Sequence, residues 1–141
     1  MRKYYLLFCT ALLCALLCTG CAVSLTDALP PLDDAATKLQ NVTSVTVCRH
    51  TDDAQGTLTD PMVLDTLYMQ LDGIRGTREK MELAAYREAY PPLYTIVYAN
   101  ETGVIDELIL SGETTFYYDG YAYNALRGGA DLFYFENLFA E

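Results

Sequence analysis

The β-branched run from Val42 to Cys48, in which Val42, Ser44 and Thr46 alternate with Thr43, Val45 and Val47, predicts a strand. Asp52-Asp53-Ala54-Gln55-Gly56 breaks that pattern, and Asp60-Pro61 then opens a helix. Asp60 can cap it, and Pro61 fits the first helical position, where its missing N–H costs nothing. Val63, Leu64, Leu67 and Leu71 recur at helical spacing until Gly73. Over residues 78–90, Met81, Ala84, Ala85 and Glu88 suit a short second helix, although Gly76 before it and Pro91-Pro92 after it also permit a long loop. Beyond the prolines the period becomes two. Tyr94, Ile96 and Tyr98 share one face of a strand, Asn100 to Gly103 turns the chain, and Val104 to Leu110 returns. After Ser111-Gly112-Glu113, Thr114 to Tyr118 runs into Asp119-Gly120, a dipeptide suited to a two-residue hairpin turn, with Tyr121 to Ala125 as its partner. Leu132, Phe135, Leu138 and Phe139 predict a terminal helix starting near Asp131. These elements predict an α+β fold: an antiparallel meander sheet of about five strands, one or two helices on one face, and a C-terminal helix.

Ahead of this domain, Arg2 and Lys3 precede an apolar run from Tyr4 to Leu17, and Thr19-Gly20 stands directly before Cys21. A basic start, an apolar core and a small-residue exit read as an export signal over residues 1–20, which is excluded from fold reasoning. Residues 21–40 carry Asp27, Pro30-Pro31 and Asp33-Asp34 with little periodic apolar content. A flexible coil of about 18 residues would hold a domain roughly 20–25 Å from its attachment point. Residues 41–141 remain as a single small α+β domain.

The stretch Leu17-Cys18-Thr19-Gly20-Cys21 resembles a bacterial lipobox, with Cys18 where such motifs usually carry leucine. The resemblance implies that Cys21 receives the lipid, palmitate among its acyl chains, and becomes the new N-terminus. The protein would then sit on the outer face of the bacterial cytoplasmic membrane. Two alternatives remain: the apolar stretch from Tyr4 to Val23, roughly 20 residues, is long enough to span a bilayer, and ordinary cleavage would release the domain. With this layout and the Tyr117-Tyr118-Asp119-Gly120-Tyr121 hairpin, the soluble part is similar to small uncharacterised α+β domains of Gram-positive extracytoplasmic lipoproteins. That resemblance implies a fold and a location and no activity.

Charge narrows the partners. All nineteen acidic residues follow Cys21, and loss of Arg2 and Lys3 leaves seven basic residues, so the processed chain carries about −12 at neutral pH. This argues against nucleic acid and against adhesion to anionic lipid through the protein surface. Cys9, Cys14, Cys18 and Cys21 belong to the N-terminal region, leaving Cys48 as the lone thiol of the domain, which must rely on its core rather than on disulfides.

Few residues point to chemistry. Cys48 and His50, two apart on a strand, would project from one face, and a cysteine nucleophile needs a base or positive charge that favours its thiolate. Their simpler reading is a buried thiol and an exposed imidazole at a strand end. One Cys and one His are too few for a zinc site. The pairs Asp33-Asp34, Asp52-Asp53 and Asp106-Glu107 lack the alternation of a calcium loop and read as solvated charge. No pattern calls for a cofactor or metal. Asn41-Val42-Thr43 and Asn100-Glu101-Thr102 match the glycosylation acceptor pattern, but Asn100 is better explained as a turn residue.

In a two-residue hairpin, Phe116, Tyr118, Tyr121 and Tyr123 share one face, with Thr115, Tyr117, Ala122 and Asn124 on the other. The four rings form either the core side of the sheet or an exposed binding platform. The expected function is a membrane-anchored, non-catalytic binding module for a protein, peptide or envelope component. A small envelope hydrolase using carboxylates or Cys48/His50, and a structural spacer, are the alternatives.

Overall fold

Ser44–Arg49 (β1) buries Val45 and Val47 completely on one side and turns Thr46 and Cys48 to the other, the alternation expected of a β-branched strand. The computed structural model describes residues 41–140, so the expected signal segment, Cys21 and the expected tether lie outside the described residues. After a turn in which Asp53 takes a positive φ of 57°, the chain returns as Ala54–Leu58 (β2). Asp60 then caps the helix Pro61–Leu71 (α1), its Oδ1 accepting from the Met62 N–H at 2.8 Å. Arg75–Lys80 (β3), Leu83–Ala89 (α2) and the strands Tyr94–Asn100 (β4), Gly103–Leu110 (β5), Thr115–Tyr118 (β6) and Tyr121–Arg127 (β7) follow. Asp131 caps the last helix, Leu132–Asn137 (α3).

The fold is α+β, as the periodicities predict, but its antiparallel sheet has seven strands, ordered β2, β1, β4, β5, β6, β7, β3. The two strands beyond the expected five are the two edges, β2 and β3. Their sequences, Ala54-Gln55-Gly56-Thr57-Leu58 and Arg75-Gly76-Thr77-Arg78-Glu79-Lys80, are largely polar and show no apolar alternation. The segment expected only to break the first strand becomes β2, and part of the 78–90 segment expected as helix is strand up to Lys80. The short helix itself is present as α2.

Helices cover both faces rather than one. Leu64, Leu67 and Leu71 of α1 and Phe135 of α3 join Val45, Val47, Ile96, Leu108, Leu110 and Phe116 in the main core. On the opposite face Tyr86 of α2 is fully buried, its ring 4.8 Å from that of Tyr117 and its hydroxyl donating to Ser111 Oγ at 2.9 Å.

Two backbone features fix the β6, β7 and β3 side of the sheet. Asp119 (φ 49°) and Gly120 (φ 80°) are both left-handed, as a type I′ turn requires, and set the register Tyr118↔Tyr121 and Phe116↔Tyr123. At Gly76, beside a register shift, a Cβ would stand 2.0 Å from the Asn124 carbonyl oxygen, so no larger residue lets β3 lie this close to β7.

Candidate functional site

The hairpin rings separate by depth. Phe116, Tyr118 and Tyr123 are 0%, 3% and 8% exposed and belong to the main core, whereas Tyr121 is half-buried at its margin with the Arg78 guanidinium 4.8 Å from its ring centroid. Of the two roles open to this face, the structure gives three of its four rings the core role, in one cluster with residues of α1 and α3. Rings this deeply buried do not meet a ligand directly.

The other face of the same hairpin is open. Thr115, Ala122 and Asn124, together with Thr77 and Glu79 of β3, line a groove of about 490 Å³ that Tyr90 flanks at the C-terminal end of α2. The register explains the grouping: Thr115, Asn124 and Thr77 lie side by side across β6, β7 and β3, and Ala122 stands opposite Glu79. Tyr90 is 42% exposed and its ring lies 5.3 Å from that of the buried Tyr86, so it stands on a fixed base. The Tyr117 hydroxyl donates to the Met81 carbonyl at 2.9 Å, tying the turn before α2 to the sheet. The volume falls within the range of small-ligand sites. Hydroxyl, amide and carboxylate groups beside an aromatic ring suit a ligand that has both a polar edge and an apolar face. The pattern of the chain grouped Thr115, Ala122 and Asn124 on one face of the hairpin but placed the candidate binding face on the opposite side, at Phe116, Tyr118, Tyr121 and Tyr123. Thr77 and Glu79 were missed because β3 was not recognised as a strand, and Tyr90 because nothing in the sequence places the end of α2 beside this face.

Cys48 and His50 are not arranged as nucleophile and base. His50 Nε2 hydrogen-bonds Thr95 Oγ1 at 2.8 Å, occupying the ring nitrogen with a hydroxyl of β4. Burial, with the Glu107 carboxylate as a smaller influence, pushes the Cys48 thiol above its ordinary value. Both effects oppose the thiolate.

Asp52, Asp106, Glu107 and Glu136 are engaged in contacts within the fold. Asp52 takes a two-point contact from Arg49 at 2.9 and 2.6 Å, and Arg49 also reaches Glu136 of α3 at 2.9 Å and stacks 4.6 Å from the centre of Phe139. The Arg49 hydrogen bond holds Asp52 below the usual carboxylate range. Tyr94 donates to the second Glu136 oxygen, and burial, followed by that hydrogen bond, raises its phenol. This cluster fastens α3 to β1 and β4. Asp106 accepts from the Tyr118 hydroxyl at 2.7 Å, and Glu107 lies 3.7 Å from Arg87. Asp33 and Asp34 lie outside the described residues. Among the described residues no three His, Cys, Asp or Glu side chains come together as a cation site, and no helix is long and apolar enough to cross a membrane.

In comparisons with known proteins, no family model, curated protein or solved structure matches this chain.

Proposed function

We propose that this protein is a lipid-anchored extracytoplasmic binding module whose ligand occupies the groove between α2 and strands β6, β7 and β3. The observation that carries the reading is the groove itself, in which an exposed ring on a packed base overlooks a polar floor. Anchoring rests on the lipobox resemblance: the lipid at Cys21 holds the domain at the membrane while residues 22–40 carry it clear of the surface. The ligand belongs to the envelope: a short peptide segment or one or two sugar rings match the groove's size and mixed polarity.

Both halves can be tested on the full chain. Intact mass after membrane extraction is expected to show loss of residues 1–20 plus a lipid adduct, absent in Cys21→Ala, and a chain still starting at Met1 refutes lipidation. For the groove, a panel of cell-wall oligosaccharides and short peptides is screened by thermal shift against wild type and Ala122→Arg, whose longer side chain fills the floor. Ligands that stabilise wild type and not the filled variant support the site. Equal stabilisation of both, with matched melting curves for the free proteins, overturns it.

A further inference from the structure

The two edges of the sheet differ in charge. β2 carries no ionised side chain, whereas β3 holds Arg75, Arg78 and Lys80, and Arg127 of β7 is paired in register with Arg75. Of the six Lys and Arg residues between positions 41 and 140, these are four; the other two are Arg49 and Arg87. In a chain whose formal net charge is −10, the positive side chains of the described residues are thus concentrated along one strand edge.

That edge also offers backbone hydrogen bonds. The Met81 N–H donates inward to the Gly120 carbonyl at 3.1 Å. In an antiparallel ladder alternate residues point their N–H and C=O to the same side. Thr77 and Glu79 therefore turn their backbone groups toward β7, and Gly76, Arg78 and Lys80 turn theirs outward. Among the described residues no strand lies beyond β3, and residues 77–80 are exposed. The residues with outward backbone groups thus include two with cationic side chains.

We infer that the β3 edge receives an extended acidic peptide segment as an eighth strand, with carboxylates at alternate positions. Added-strand residues opposite Arg78 and Lys80 share their face and gain cross-strand charge pairs. The intervening residues fall on the groove face beside Thr77 and Glu79, where Glu79 repels a carboxylate, so those positions are neutral. Charged edge strands commonly serve only to prevent aggregation. A purely protective role does not account for the uncharged β2, which is equally an edge. The same positive row that attracts an acidic strand rejects a second copy of itself.

The probe is a fluorescently labelled nonapeptide alternating glutamate and threonine, titrated by anisotropy onto the full chain in neutral detergent, with the lysine–threonine peptide as control. Binding of the glutamate peptide alone is expected, weakening with salt, with hydrogen-exchange protection appearing at the Arg78 and Lys80 amides. The double change Arg78→Glu with Lys80→Glu is expected to weaken binding about tenfold or more, through lost attraction and added repulsion. Lys80→Pro, which removes an outward donor and no internal bond, is expected to keep the melting temperature and lose affinity. Ala122→Leu, which fills the groove floor without adding charge beside the edge, is expected to bind the peptide as wild type does, which keeps failure of the groove and failure of the edge distinguishable. Equal binding of both peptides, no binding of either, or charge-dependent binding only to phosphatidylglycerol vesicles overturns the inference.

Discussion

Tyr98→Phe is expected to make the protein more stable. Tyr98 is fully buried on β4, opposite Val45 of β1 on one side and Asp106 of β5 on the other, and its hydroxyl has no hydrogen-bond partner. The neighbouring Asp106 already accepts from the Tyr118 hydroxyl. Burial, with Tyr118 and Asp106 as lesser influences, pushes the Tyr98 phenol well above its usual range, which favours the neutral form. An unpaired buried hydroxyl costs about 1–3 kcal/mol in lost hydration, and its removal forfeits only the packing of one oxygen atom. A net gain of about 1 kcal/mol follows. For a folded part of this size that corresponds to roughly 4–8 °C in melting temperature. Tyr118→Phe is the contrasting variant: it deletes a hydrogen bond to a carboxylate, and a loss of about 1.5–3 kcal/mol is expected. Urea unfolding of the full chain in detergent, followed by far-ultraviolet circular dichroism, measures both. A loss of 1 kcal/mol or more in Tyr98→Phe refutes the reasoning, since it means that the hydroxyl has a partner worth keeping.

The hairpin supplies a second comparison: Phe116→Ala should cost about 3–5 kcal/mol as a fully buried ring, and Tyr121→Ala clearly less, read from the same unfolding curves; equal losses contradict the depths seen here. Because the folded-state pKa of Asp52 is depressed, the stability from its contact with Arg49 is present above the unfolded carboxylate value and lost as pH falls through the folded one. Melting temperatures followed downward from about pH 5 should therefore fall more steeply for wild type than for Arg49→Gln, and parallel curves would show that the contact contributes nothing. The raised Cys48 thiol predicts slow alkylation by iodoacetamide at pH 7.5, measured by mass spectrometry of the peptide containing Cys48, with a sharp rise in urea; a rate already equal to the unfolded one contradicts the shift.

The chain by itself determined the parts of the fold in which local chemistry and burial agree. The β-branched alternation of β1, the Asp60-Pro61 start and leucine spacing of α1, the Asp119-Gly120 turn and the Asp131 start of α3 each have a local cause, and each stands where its residues predict. β2 and β3 were not legible. An edge strand pairs on one side only, and these two present mostly polar side chains, so neither an apolar period nor β-branched enrichment marks them. Which face of the hairpin is buried was likewise undetermined, because alternation defines two faces without saying what covers each. Only the packing of α1 and α3 on one side decided that Phe116, Tyr118 and Tyr123 are core. The small α2 on the other side leaves Thr115, Ala122 and Asn124 at an open groove. The basic edge depended on tertiary structure for the same reason: Arg75, Arg78 and Lys80 lie close together in the chain, but they become a sheet edge, with Arg127 beside them, only when β3 pairs with β7 at the limit of the sheet.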